Sequence, residues 1–268
     1  MESDDVLVGK VLSRREALAV LGALGAAALA ACVPNAAATQ APATSAATSA
    51  ASSAATVAVP VVVPTVGAAA VAAPACIVRP AMTEGPYFVD EKLNRSDIRS
   101  DPTDGTVKDG APLALTVNIS QISGSACAAL SGATVDGWHC DAAGVYSDAA
   151  DPSFNTKGKK FLRGYQTTDA NGQVKFTTIY PGWYHGRTVH IHFKIRTTSG
   201  HEFTSQWFFD DGLTDKVFAQ APYASRGQRD TRNSQDGIYQ GGGDQLLLAP
   251  APAGAGYAAT FDIGLQFT

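Results

Sequence analysis

Short runs that alternate between apolar and polar residues dominate residues 76–268, and this pattern constrains the fold more than any other feature. A period of two places residues i and i+2 on the same face of a strand. Asn171-Gly172 is a strong turn signal. No segment shows a long helical period, and residues 222–232 fit either a short helix or a loop. The pattern therefore predicts an all-β fold, an antiparallel β-sandwich. The predicted strands are 112–119, 133–140, 174–179, 189–195, 203–209 and 257–267.

The first 32 residues have the pattern of an export signal. Lys10, Arg14 and Arg15 precede an uncharged run of 15 residues, 17–31, that contains only Ala, Leu, Val and Gly. This run is short for a transmembrane helix and is typical of the apolar region of a signal peptide. The Arg14-Arg15 pair resembles a twin-arginine signal. We therefore expect the protein to be exported.

A lipid anchor is expected at Cys32, because the Leu-Ala-Ala-Cys sequence that ends there resembles a bacterial lipobox. An ordinary cleaved signal with an incidental cysteine is the alternative. Residues 33–75 are almost entirely Ala, Thr, Ser, Pro and Val and carry no charge. This composition predicts a disordered tether between the membrane and the folded domain. The folded domain is then 76–268, which is long enough for a substantial core.

The charge distribution argues against nucleic acid as a partner. The chain has 20 Lys and Arg against 24 Asp and Glu, a formal net charge of −4, and no basic cluster. A protein that binds nucleic acid usually carries a basic patch that neutralises phosphates.

Four cysteines limit the disulfides that the domain can form. If Cys32 carries lipid, then Cys76, Cys127 and Cys140 allow one disulfide and one free thiol, and an exported location permits the disulfide. A predicted strand separates Cys127 from Cys140, and a strand advances about 3.3 Å per residue, so these two should lie far apart. Cys76–Cys127 is the favoured pairing, although connectivity cannot be deduced from sequence.

Two of the five histidines, His190 and His192, lie two residues apart in a predicted strand. Two imidazoles on one face of an apolar strand can form half of a metal site. Two partly exposed strand histidines with no metal are the alternative. Tyr146 and Tyr184 lie in the loops around this strand, although an isolated tyrosine in a β-protein is usually a packing residue.

Four motifs, in order along the chain, resemble those of the intradiol ring-cleavage dioxygenases, which include protocatechuate and catechol dioxygenases. The motifs are TEGPYF at 83–88, DGWHCDAAGVYS at 136–147, FLRG at 161–164 and PGWYHGRTVHIHF at 181–193. The resemblance runs from about residue 80 to 210, and the last 50 residues carry no recognisable motif. It implies long active-site loops on the β-sandwich.

The resemblance also implies a mononuclear non-haem Fe(III) ion. Its four ligand positions fall on Tyr146, Tyr184, His190 and His192. Arg187 and Gln206 match the active-site arginine and glutamine of the family. The stretch between Tyr184 and His190 is shorter than in typical members of the family, which leaves Tyr180 as an alternative for the second tyrosine ligand.

The donor types agree with ferric iron, because phenolates are hard anionic ligands that favour Fe(III) over Fe(II). A ferrous site of two histidines and one carboxylate would need an acidic residue at H-x-[DE] spacing, which is missing from this motif. A copper or zinc site on the histidines stays open as a further possibility.

The implied reaction uses O2 to cleave a catechol-type aromatic between its two hydroxylated carbons, giving a muconate-type dicarboxylate. The alternative is a non-catalytic β-sandwich module that binds polysaccharide or an aromatic polymer. The sequence does not choose among catechols, and it leaves the oligomeric state open, with a homodimer as one option.

Overall fold

The computed structural model describes residues 76–267. All six predicted strands are present, and each begins within two residues of its predicted first residue. The predicted export signal at 1–32 and tether at 33–75 lie outside the described residues, so these assignments and the domain boundary at 76 stay predictions. The strands are β1 Pro112–Ser123, β2 Ala126–Ala129, β3 Thr134–Trp138, β4 Ala150–Asp151, β5 Phe154–Asn155, β6 Arg163–Thr167, β7 Gln173–Ile179, β8 His190–Arg196, β9 Glu202–Phe208, β10 Ala251–Ala253 and β11 Gly256–Gln266.

Two sheets pack face to face around one main core. The first sheet has the order β10-β11-β1-β2, with β7 also paired to β1, and the second has the order β6-β3-β8-β9. Phe193 of β8 stacks on Trp207 of β9 with ring centroids 4.2 Å apart. Both rings contact Phe261 of β11 in the other sheet, at centroid distances of 6.1 and 5.9 Å. The predicted all-β sandwich is therefore confirmed.

One pairing departs from the antiparallel pattern, because β1 and β11 run parallel from Leu113↔Tyr257 to Ile122↔Gln266. Parallel strands need a long crossover connection, and residues 124–255 lie between these two strands. Their buried positions alternate in the same way as those of an antiparallel pair. Period-two alternation carries no information about strand direction, which is why the sequence did not reveal this pairing.

The sequence analysis missed one α-helix, α1 Asp211–Phe218, which is too short to show a long helical period. Asp210 caps it, and its side chain accepts a hydrogen bond from the Leu213 N–H. Residues 222–232 contain a 3-10 helix, Tyr223–Arg226, followed by a loop. Three further 3-10 helices follow, at Asn233–Gln235, Tyr239–Gly241 and Gly243–Leu246. None of the helices in the described part of the chain is long and apolar enough to cross a membrane.

The favoured disulfide is confirmed, since Cys76 and Cys127 are bonded with their Cα atoms 5.8 Å apart. The bond ties the first described residues to β2 at the edge of the first sheet. Cys140 is a buried free thiol whose Sγ lies 3.4 Å from the carbonyl oxygen of Gly182.

Candidate metal centre

Strand β8 has two buried faces of different chemistry. Ile191, Phe193 and Ile195 form its inner face, in the core between the sheets, and His190, His192 and Lys194 form its outer face. Pairing across the second sheet places Trp138 of β3 beside His192, and Gln206 of β9 on the other side of His192. The outer face thus gathers residues from three strands.

Three of the four residues that the resemblance proposes as ligands meet on this outer face. The Nε2 atoms of His190 and His192 are 3.0 Å apart. The hydroxyl oxygen of Tyr146 lies 3.3 Å from His190 Nε2. All three side chains are buried, so one nitrogen from each imidazole and one phenolic oxygen converge at one buried position.

The His190 ring is oriented by a hydrogen bond on its far side. Its Nδ1–H donates to the carbonyl oxygen of Thr188 at 2.6 Å, so Nε2 presents a lone pair to His192 and Tyr146 in the neutral ring. This second hydrogen bond is the usual way in which a protein fixes the tautomer of a metal-binding histidine. Burial lowers the pKa of His190 to about 3 and that of His192 well below its ordinary value. Both rings are therefore neutral, which is the form that binds metal.

His192 is held by packing instead. Its buried Nδ1 has no hydrogen-bond partner among the described residues. Its ring stacks on Trp138, with centroids 5.0 Å apart and an angle of 8° between the planes. Gly85 covers the ring edge with a φ of +73°, and a Cβ added there would lie 3.1 Å from His192 Cε1. Only glycine adopts this positive φ without strain and also leaves the space next to the ring free of a Cβ.

The loop that carries Tyr146 is fixed from behind by Arg163, the arginine of the FLRG motif. Its Nε donates to Ser147 Oγ at 2.7 Å, and its Nη1 donates to the carbonyl oxygen of Tyr87 at 3.2 Å. Arg163 is buried, and it therefore ties two site loops to β6. Burial raises the pKa of the Tyr146 phenol well above its ordinary value.

Tyr184 lies at the rim of the site, and its ring meets the Tyr146 ring edge-on with centroids 5.8 Å apart. Its hydroxyl is 2.5 Å from the Tyr87 hydroxyl and donates to Asp151 Oδ2 at 3.3 Å. Tyr180, the alternative ligand, lies elsewhere, since its hydroxyl is 2.7 Å from Thr214 Oγ1 within the main core. The geometry therefore favours Tyr184 over Tyr180.

Arg187 and Gln206 are joined directly. The Nη2 group of Arg187 donates to Gln206 Oε1 at 2.6 Å, and Gln206 Nε2 donates to the carbonyl oxygen of Thr83 at 2.8 Å. On its other side, Arg187 Nε donates to Asp236 Oδ2 at 2.8 Å. Both predicted active-site residues thus belong to one chain of hydrogen bonds that runs beside His192.

Several residues in these contacts were not singled out from the sequence, among them Tyr87, Asp151 and Asp236. Tyr87 lies within the TEGPYF motif, so motif context could have suggested it, whereas Asp151 lies just beyond the motif at 136–147. Asp236 lies in the C-terminal stretch without a recognisable motif, and the sequence carries no signal for it.

Histidines, cysteines and carboxylates alone do not form a metal cluster in the described part of the chain, where no group of three or more of them could hold an ion. A metal centre in this region would therefore depend on tyrosines as ligands. The site around His190 and His192 offers two, Tyr146 directly and Tyr184 at the rim.

Comparisons with known proteins agree with this fold and these motifs. A family model described as "Dioxygenase" matches residues 83–231, more than half of the chain. An intradiol ring-cleavage dioxygenase from Tetranychus urticae is 29% identical with a TM-score of 0.63, and the match covers 71% of this chain and 95% of that one. The dioxygenase domain of a dioxygenase carbohydrate-binding protein fusion from Streptomyces sp. SirexAA-E is 28% identical with a TM-score of 0.52, over 72% and 100% of the two chains.

A curated relative, catechol 1,2-dioxygenase 1 of Acinetobacter lwoffii, is 28% identical over 170 residues, which is 53% of this chain and 50% of that protein. The chain spans about half the length of the curated relatives it matches. The family model and the solved structures together establish that the chain belongs to the intradiol ring-cleavage dioxygenase family.

Proposed function

We propose that this protein uses Fe(III) and O2 to cleave a catechol-type aromatic between its two hydroxylated carbons, giving a muconate-type dicarboxylate. The family to which the chain belongs is enzymatic. The observation that carries the proposal is the convergence of three buried donor atoms. His190 Nε2 lies 3.0 Å from His192 Nε2 and 3.3 Å from the Tyr146 hydroxyl oxygen.

The donor set fits a ferric ion. The lone pair on His190 Nε2 points at a second imidazole nitrogen 3.0 Å away, and a bound cation would satisfy both nitrogens at once. Tyr146 and Tyr184 would add two phenolate donors, which are hard ligands suited to Fe(III). Bound there, ferric iron would supply the Lewis acidity that acidifies both catechol hydroxyls and makes the ring reactive toward O2.

Tyr184 is the residue placed to exchange a proton with the substrate. Because Tyr184 lies at the rim, its Oη could accept one of the two catechol protons when a catechol occupies the site. Tyr87 and Asp151 already contact that oxygen at 2.5 and 3.3 Å. They would hold the protonated tyrosine, so no separate general base would be needed for this proton.

Arg187 is the residue placed to stabilise negative charge on the reacting substrate. Its Nε and Nη2 donate to Asp236 and Gln206, which leaves the Nη1 hydrogens without a partner among the described residues. Gln206 holds Arg187 and also the loop at Thr83. A cationic donor held in advance at the point where charge develops lowers the barrier without reorganisation at the moment of reaction.

Metal content, visible absorption and turnover of the purified protein test the proposal. We expect bound iron, a colour due to tyrosinate-to-iron charge transfer, and ring cleavage of at least one member of a panel of plain, chlorinated and carboxylated catechols. Colourless protein that stays inactive after reconstitution with iron would refute the iron site. Coloured protein that is inactive on the whole panel would favour the non-catalytic binding module.

We also propose that the protein is exported and anchored to a membrane by lipid on Cys32, with 33–75 as the tether. The support is the lipobox-like sequence, the arginine pair and the uncharged tract. The Cys32→Ser variant should lose membrane association and still yield a folded 76–268 domain. If the wild-type protein partitions into the soluble exported fraction as fully as Cys32→Ser does, the protein is an ordinary secreted one.

A further inference from the structure

The C-terminal stretch contributes a buried carboxylate to the site, although the family match ends at residue 231. Asp236 follows the 3-10 helix Asn233–Gln235, and its side chain is only 1% exposed. Few ionisable side chains are buried this completely unless they are paired.

Each oxygen of Asp236 has a different task. Oδ2 accepts hydrogen bonds from Arg187 Nε at 2.8 Å and from the Thr188 N–H at 2.9 Å. Oδ1 accepts from the N–H groups of Ile238 and Tyr239 at 2.8 and 3.2 Å. One oxygen thus faces the site and the other fixes the turn that carries the residue. Burial alone would raise the pKa of Asp236, but the Thr188 N–H and Arg187 outweigh it and hold that pKa below its ordinary value.

Hydrogen bonds at two different nitrogens fix the plane of the Arg187 guanidinium. Asp236 accepts from Nε, and Gln206 accepts from Nη2 at 2.6 Å. A planar guanidinium held at two of its nitrogens is fixed in orientation. The remaining Nη1 hydrogens then have one direction in which to point.

We propose that Asp236 is a positioning residue that orients Arg187 for the substrate, so that the C-terminal stretch completes an active site whose other parts lie within 83–231. This inference rests on the proposed function, because Arg187 has a substrate to act on only if the site is catalytic. The ionic hydrogen bond at Nε holds the arginine in place before the reaction, and pre-organisation of this kind lowers the barrier for charge development.

A double-mutant cycle tests the inference. Asp236→Asn keeps the size of the side chain and removes the charge that holds Nε. A hydrogen bond to a charged group is commonly worth on the order of 10- to 100-fold, so we expect kcat to fall by about tenfold with iron content unchanged. In the Arg187→Ala background, Asp236→Asn should change kcat by less than about twofold, because the group through which it acts is gone.

Asn233→Ala is the matched control within the same stretch. Asn233 accepts from Thr188 Oγ1 at 2.5 Å and donates to the carbonyl oxygen of Phe209 at 2.8 Å, but none of the Arg187 side-chain hydrogen bonds goes to it. We expect Asn233→Ala to lower the midpoint of thermal unfolding with a smaller effect on kcat. If Asp236→Asn does not fold, Asp236→Glu, which keeps the charge and displaces it by one methylene, is measured in the same cycle.

Three results would overturn the inference. The first is an Asp236→Asn enzyme as active as the wild type. The second is an equal loss of kcat in both backgrounds, which means that Asp236 serves the turn alone. The third is a loss in Asn233→Ala as large as that in Asp236→Asn. A wild-type protein with no activity on any catechol overturns the proposed function instead, and the inference with it.

Discussion

Both faces of β8 are buried, but different parts of the chain cover them. On the inner face, Phe193 packs against Trp207 and Phe261 from two sheets, within the main core. On the outer face, His190 and His192 are covered by loops that carry Tyr146 and the TEGPYF motif. The side chains around Trp138, Tyr146 and Tyr87 form a second, smaller apolar cluster that is separate from the main core.

Burial therefore has two purposes in this strand. The inner face stabilises the domain through apolar area removed from water, which is non-directional and tolerates similar side chains. The outer face depends on directed contacts, such as the His190 bond to Thr188 and the Arg187 bond to Asp236. Substitutions on the inner face should therefore change stability, and those on the outer face should change metal binding and reaction.

The largest expected contrast is between the neighbours His192 and Phe193. His192→Ala should abolish iron binding, and it should destabilise the apo protein less than Phe193→Ala does, because removing a buried nitrogen without a partner offsets part of the cost of the cavity. Phe193→Ala should lower the free energy of unfolding by about 3–5 kcal/mol, while the folded fraction still binds iron. Iron-to-protein ratios and denaturant unfolding of both apo variants check this pair. Iron retained in His192→Ala would remove it from the proposed ligands.

The next contrast is between residues of the outer face: the proposed ligands should determine iron binding, and Arg187 should determine the rate of reaction. Arg187→Ala should lower kcat on the order of 10²-fold, with the iron content and colour of the wild type, because Arg187 contacts Gln206 and Asp236 and not the converging nitrogens. Steady-state kinetics beside iron analysis separate the two effects. An Arg187→Ala enzyme with full activity would assign this side chain to the fold.

The inner face could be predicted from the sequence, because period-two alternation in Ile191, Phe193 and Ile195 is a local signal. Alternation does not encode strand direction, so the parallel pairing of β1 and β11 could not be predicted. The strand β6 was missed for a related reason. Its sequence RGYQT lacks apolar alternation, since its arginine is buried for hydrogen bonds rather than for packing.

The outer face could be predicted only in part. The H-x-H pair is a local signal, and the tyrosines came from an ordered set of motifs that resemble a family. The supports of those residues are non-local: Trp138 stacks on His192 across a strand pair, and Asp236 reaches Arg187 from a stretch without a motif. Contacts between distant segments leave no periodicity in the chain, so they become visible only once the fold is known.

A smaller effect is expected when the support of His192 is changed and the ligand itself is kept. Trp138→Leu removes the stacked ring and should weaken iron binding by about tenfold, as losses of outer supports commonly do. Trp138→Phe keeps an aromatic face against His192 and should bind iron more tightly than Trp138→Leu. Iron titration and the position of the charge-transfer band measure both variants. Equal affinity in Trp138→Leu and the wild type would show that stacking does not position His192.

The smallest expected effect concerns Gly85, which packs against the edge of the His192 ring. A substitution there can strain the backbone and can also displace His192. Gly85 has a φ of +73°, and an added Cβ would lie 3.1 Å from His192 Cε1. Gly85→Ala should cost about 1–2 kcal/mol for the left-handed backbone and should also weaken iron binding a few-fold, since the TEGPYF loop or the imidazole must shift.

Gly105 is the matched control, because it has a φ of +76° and nothing within 4 Å of an added Cβ. Gly105→Ala should show the same loss of stability with iron binding unchanged. Unfolding free energies and iron dissociation constants, measured side by side, test the pair. If both variants bind iron like the wild type, the TEGPYF loop shifts without moving His192. Gly85 then does not position this ligand, and Trp138 is the packing neighbour that does.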